Sequence, residues 1–177
     1  LGAMIEGALG DGRRLGVTIH YSPEGSALET AGGIARALPL LGDAPFLVIN
    51  GDVFCDADFA PLARAAAGLR ADGPLAHLLL VPNPPHHPDG DFGLHADGHI
   101  RDDGSGTRLT FAGVGAYHPA LFAGVDPDRP AKLAPLLRTA MSDGRVRGTR
   151  FDGRWVDVGT PARLRELDQA LRTGTPD

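Results

Sequence analysis

The chain has 177 residues, of which 42% are hydrophobic, and carries a formal net charge of −5. That length fits one domain of about 100–200 residues with a real core, and the acidic balance speaks against a nucleic-acid partner, which needs a basic face. Cys55 is the single cysteine, so no internal disulfide can form and a reducing, cytoplasmic setting is expected, and no apolar run reaches the about 20 residues that cross a bilayer. In chain order, Leu1, Met4, Ile5 and Leu9 recur at helical spacing, with Gly10 and Gly12 as a stop. The sequence begins without Met inside this helix, so an upstream segment is expected. Val17 to Tyr21 alternates as a strand, and "PEGSALETAGG" reads as a loop. Ile34, Ala37, Leu38 and Leu41 mark a helix that Pro39 should weaken or end.

Phe46 to Ile49 is continuously apolar, as in a strand buried on both faces of a parallel sheet. A helix around Pro61 to Leu69 and a strand from Leu75 to Val81 follow. Alternating helices and strands of this kind indicate an α/β sheet. The middle is rich in Pro, Gly, Asp and His. "FGLHA" and "HIRD" form a short hairpin about Asp97-Gly98, and "LTFAGVGAYHP" a further strand. "PAKLAPLLRTAMSDG" is an amphipathic helix. "RVRGTRFDGRWVDVGT" reads as a hairpin turning at Asp152-Gly153, and "PARLRELDQALRTG" as a helix with Pro161 in its first turn.

Three places could carry chemistry. Asn50, Gly51 and Asp52 end the Phe46 strand, where α/β sheets bind ligands. Asp52 is either a ligand for Mg²⁺, a hard cation that takes oxygen donors, or a cap for the next turn. Gly51 leaves room for a ligand to approach the backbone. Asp157 interrupts the apolar strand "WVDVGT"; it either faces solvent or joins Asp52 around one cation. "LETAGG", Leu28 to Gly33, could bring a ring or phosphate to free N–H groups, or be a plain glycine-rich turn. Set aside are "DFG" at Asp91 to Gly93, which has no kinase lysine strand beside it, and His86-His87, whose adjacency suits a loop better than a metal pair. Cys55 reads as a small buried side chain.

Taken in order, "SPEGSALETAGGIARALPLLGDAPFLVINGDVFCD", "GDFGL", "LTFAGVGAYHP", "AKLAPLL" and "RWVDVGTPARL" resemble the sugar-1-phosphate nucleotidyltransferases. Within them the chain is most similar to the N-acetylmuramate α-1-phosphate uridylyltransferases of cell-wall recycling. The resemblance implies a Rossmann-like, GT-A-like mixed sheet flanked by helices, with a small β-rich sugar-binding region. It implies transfer of a nucleotidyl group from a nucleoside triphosphate, UTP first, to a sugar 1-phosphate, with Mg²⁺ as cofactor and no protein partner. Asp52 and Asp157 would hold the cation. Glu29, Thr30, Ala31 and Gly32 would line the nucleobase and ribose with Asn50 and Gly51, and Gly93 and Gly113 would approach the sugar. Asp56 and Asp58 would solvate a loop. The family's glycine-rich G-x-G-x-R loop followed by a P-K pair does not occur here, and "HIRDDGSGT" stands where many relatives carry E-K-P. Other readings are a mannose-1-phosphate guanylyltransferase, a D-x-D glycosyltransferase through Asp56-Ala57-Asp58, and a binding module without turnover.

Overall fold

The structure, a computed structural model, describes residues 2–173; Leu1 and Gly174, expected within the first and last helices, lie outside them. Helix α1 (Gly2–Leu9) forms as expected, but its apolar spacing faces outward, with Met4 72% and Ile5 51% exposed. The strand expected from Val17 to Tyr21 does not form: the segment joins no sheet, and Val17 N and Ile19 N bond instead to the Gly12 and Asp11 carbonyls. Strand pattern alone makes no strand without a partner edge to bond.

Helix α2 (Glu29–Leu41) starts earlier than its apolar spacing suggested and takes in the "ETAGG" stretch expected as a loop. Its glycines answer to packing. A Cβ on Gly32 would sit 2.7 Å from the Arg129 carbonyl oxygen, so only glycine lets the helix lie against that loop. Pro39 stays inside the helix near its exposed end and does not stop it.

The main sheet is built on one long strand. The strands are β1 (Phe46–Ile49), β2 (Val53–Cys55), β3 (Ala76–Val81), β4 (Phe92–Leu94), β5 (Ile100–Arg101), β6 (Thr107–Tyr117), β7 (Val146–Arg150) and β8 (Trp155–Asp157). The order is β5-β4-β6-β3-β7, with β1 also on β6. Only β3 and β7 run parallel. The sheet is therefore mixed, and β1 is an antiparallel partner of β6, not a parallel strand buried on both faces. Its residues are half-buried, Ile49 is 48% exposed, and among the described residues no strand pairs its other edge. The expected hairpin of β7 with β8 is also corrected. β7 joins β3, while β8 crosses to β2 and forms a separate two-stranded sheet.

Helices α3 (Ala60–Ala66), α4 (Leu133–Ser142) and α5 (Pro161–Thr173) complete the fold. One core lies between the sheet and α2 and α4, around Leu78, Leu80, Tyr117, Phe122 and Leu137; a second lies under α3, around Leu62, Leu79, Val81 and Val114. Phe46, Tyr117 and Phe122 stack in the first core with ring centroids 5.9–6.4 Å apart. Cys55 is half-buried against the second core.

The β4–β5 end is tied to α4 by charge. Asp102 accepts from Arg138 Nε at 2.6 Å and from Arg108 Nη1 at 3.1 Å. The Arg138 hydrogen bond, the largest effect, holds the Asp102 carboxyl below its ordinary range; burial opposes it, and the Arg108 hydrogen bond adds to it. A carboxyl depressed on folding stabilises the fold above its unfolded pKa of about 3.9, and that contribution fades as pH falls through the lower folded value. Asp102→Asn is expected to flatten the fall in melting temperature below about pH 4; an unchanged acid limb would show that the tie carries no stability.

Candidate functional site

The cleft exists because two strands share one edge of β6 without meeting. β1 ends opposite Val114 and β4 begins opposite Leu109, leaving residues 110–113 of β6 without a strand on that side. Exposed backbone in such a gap needs other partners, and side chains and a loop supply them. Phe111 N donates to Asp91 Oδ2 at 2.8 Å, and Asn50 N donates to the Gly113 carbonyl at 2.8 Å. Gly113 has φ +70°, and a Cβ there would meet Asn50 Nδ2 at 2.8 Å, so glycine is what lets Asn50 lie flat on the strand.

The two carboxylates singled out in the sequence converge here. Asp52 lies in the turn between β1 and β2, and Asp157 ends β8, which pairs β2 with Val53 opposite Asp157. The Asp52 carbonyl accepts from Val158 N at 2.9 Å, so the two turns are zipped together. The carboxylates flank one point: a Cβ built on Gly159 would lie 2.9 Å from Asp157 Oδ1 and 3.6 Å from Asp52 Oδ2. Asp157 is half-buried rather than turned to solvent. Its Oδ1 accepts from Gly159 N at 2.7 Å, and its Oδ2 lies 3.0 Å from Arg163 Nη2 on α5 and 3.9 Å from His86 Nε2. Each oxygen keeps a lone pair for a further ligand. Among the described residues no cluster of three or more His, Cys, Asp or Glu is arranged to hold a metal ion.

Two cavities of about 340 and 360 Å³ occupy the cleft. The first holds Asp52, Asp157, His86, His87, Trp155 and Gly113; the second holds Glu29, Thr30, Lys132, Phe92 and Leu137; Asn50, Asp91 and Phe111 line both. Trp155 anchors the small sheet to the large one through its Nε1 hydrogen bond to the Ala112 carbonyl, at 2.9 Å. Glu29 opens α2 at φ 58°, the only non-glycine residue with positive φ among those described. For a residue with a Cβ that conformation is strained, and strain of this kind gathers at binding sites.

Other expected residues sit outside the cavities. Ala31 and Gly32 are buried, and their N–H groups both bond to the Ala131 carbonyl, at 2.9 and 3.2 Å. They are not the free donors that the glycines suggested. Gly51 faces open space and Gly93 packs against Ser105. Asp56 and Asp58 do more than solvate a loop: Asp56 Oδ1 accepts from Arg154 N at 2.9 Å, extending the β2–β8 pairing, and Asp58 Oδ1 accepts from Ala60 N at 2.8 Å at the start of α3. In the other direction, His86 and His87, set aside as loop residues, both line the cleft, and His87 Nε2 lies 3.1 Å from Asp91 Oδ1. No spacing rule reveals them, because a Pro-rich loop brings them in. Lys132, which lines the second cavity, and Arg163, which pairs with Asp157, follow no spacing rule of the sequence; the one signal for Lys132 is that it is the single lysine of the chain.

A model of the nucleotidyl transferase family matches residues 2–101. The chain is 54% identical over 173 residues to the N-acetylmuramate alpha-1-phosphate uridylyltransferase of Neisseria meningitidis serogroup B, covering 97% of this chain and 74% of that protein. It is 37% identical to the protein of the same name from Caulobacter vibrioides, over 76% of this chain and 58% of that one. The catalytic subunit beta of mannose-1-phosphate guanylyltransferase from Dictyostelium discoideum is more distant, 29% identical over 84% of this chain and 43% of its own length. Among solved structures, a glucose-1-phosphate thymidylyltransferase from Bacillus anthracis shares the fold with a TM-score of 0.78 at 18% identity, over 96% of this chain and 72% of that one. The chain belongs to the sugar-1-phosphate nucleotidyltransferases. It is a transferase of that family, whose reaction class is nucleotidyl transfer to a sugar 1-phosphate.

Proposed function

We propose that this site serves transfer of the uridylyl group of UTP to N-acetylmuramate 1-phosphate, giving the UDP-sugar and pyrophosphate, as part of peptidoglycan recycling in the cytoplasm. The observation that carries the reading is the convergence of Asp52 and Asp157 at the unpaired stretch of β6. The two negative groups there are carboxylates, whose oxygens are the donors that Mg²⁺ takes when phosphates and water complete its shell. Mg²⁺ bound with the triphosphate would supply charge neutralisation at the phosphates.

The chain's own residues do the rest. Asp52 and Asp157 mark where the α-phosphate lies, and Arg163 and Gly159 N–H keep Asp157 turned toward that point. Glu29 and Thr30, with Asn50, line the nucleotide and sugar path, Gly51 leaves open space in the turn beside Asn50, and Ala31 and Gly32 set the position of that helix end. Gly113 lets the sugar come close to the backbone, and Gly93, packed against Ser105, holds the neighbouring strand in place. The attacking group is a phosphate oxygen of the sugar 1-phosphate. It forms a bond to the α-phosphorus as the bond from that phosphorus to the β-phosphate bridging oxygen breaks, and pyrophosphate leaves with the electron pair. The attacking oxygen is already anionic at neutral pH, so no general base is needed and positioning dominates. No helix among the described residues is long and apolar enough to cross a membrane.

The test is pyrophosphate release by the gene-length protein with Mg²⁺, UTP and N-acetylmuramate 1-phosphate. Release with that pair supports the reading. Release only with GTP and mannose 1-phosphate would replace the substrates, and silence with every pair would replace turnover by binding.

A further inference from the structure

We propose that Lys132 selects the sugar, by pairing with the lactyl carboxylate that distinguishes N-acetylmuramate from N-acetylglucosamine. This rests on the reading of the site as one for a sugar 1-phosphate. The cleft is acidic: Glu29, Asp52, Asp91 and Asp157 all line it, and Lys132 is the only Lys or Arg among the residues lining either cavity. Among the described residues the Lys132 side chain has no ion-pair or hydrogen-bond partner. It is also the only lysine in the chain.

The placement of Lys132 decides what it meets. It lines the second cavity and not the first, whereas Asp52 and Asp157 line the first and not the second. The reacting phosphates belong beside the two aspartates. A cation in the other compartment, beyond Asn50 and Phe111, therefore faces the parts of the substrates remote from the reacting phosphates, where a uridine is uncharged. A hexose with only hydroxyl groups there offers it no charge. The 3-O-lactyl ether of muramate offers a carboxylate, and its methyl group suits the apolar wall of Phe92, Leu133 and Leu137. The carboxylates that share the compartment leave Lys132 available. Asp91 is committed to Phe111 N and His87, and Glu29 forms no ion pair with Lys132. An ammonium on a flexible stem suits a carboxylate that itself hangs on a rotatable ether.

The experiment compares kcat/KM of the gene-length protein for N-acetylmuramate 1-phosphate and N-acetylglucosamine 1-phosphate, in the wild type, Lys132→Met and Lys132→Arg. Wild type prefers the muramate; Lys132→Met loses about tenfold or more of that preference, the value of one hydrogen bond to a charged group. Its kcat/KM for the glucosamine substrate stays near wild type, and Lys132→Arg restores most of the preference. An equal loss on both substrates would assign Lys132 to the shared 1-phosphate or to folding and overturn the proposal, as would an unchanged preference. A wild type that turns over other sugar phosphates but shows no preference for muramate would remove the substrate reading itself, a failure visible before any variant is made.

Discussion

Asp52→Asn in the gene-length protein is expected to lower nucleotidyl transfer about a hundredfold or more, the scale of losing one charged group that stabilises the transition state. The substitution keeps the side chain's size. Asp52 is exposed and lies in a turn whose closing bond, Val158 N to the Asp52 carbonyl, belongs to the backbone. The fold should therefore hold, with an unchanged circular dichroism spectrum and melting point. Asp157→Asn should cost similar activity and some stability as well, because it leaves the half-buried Arg163 guanidinium without its carboxylate. Near-normal turnover in Asp52→Asn would end the assignment of the carboxylate pair to catalysis.

Gly93→Ala is expected to be the most damaging small substitution in the β4–β5 region. An added methyl would lie on top of the Ser105 carbonyl oxygen, and backbone cannot swing aside as a side chain can. Overpacking of this kind costs about 2–3 kcal/mol, read as a lower melting temperature. The measurement also separates two roles for the residue. An unchanged melting point with weakened sugar binding would mean that Gly93 serves the ligand by direct approach. A lowered melting point means that it serves the packing that shapes the cavity.

Much of the local structure was legible because it rests on local rules. The apolar runs Phe46–Ile49 and Leu75–Val81 became strands, the second starting at Ala76, the spacing in "AKLAPLLRTAM" became α4, and Pro161 opened α5. Asp52 stood out as a carboxylate past a strand end and Asp157 as one that interrupts an apolar strand, and the motif order matched the family that the comparisons show. Hydrophobic periodicity and turn chemistry act within a few residues, so the chain states them directly.

Tertiary structure alone decided the pairings, and through them the cleft. "RVRGTRFDGRWVDVGT" has the pattern of a hairpin, yet β7 bonds β3 and β8 bonds β2. Periodicity says which face of a strand is apolar, but not which edge meets which. Val17 to Tyr21 shows the same limit: it alternates well and joins no sheet. His86, His87 and Lys132 reach the cleft from three-dimensional neighbours, far in sequence from Asp52 and Asp157. Residue types name the chemistry a chain can do; the gap between β1 and β4 on β6 exists only once non-local hydrogen bonds have formed, and that gap is where the chemistry is gathered.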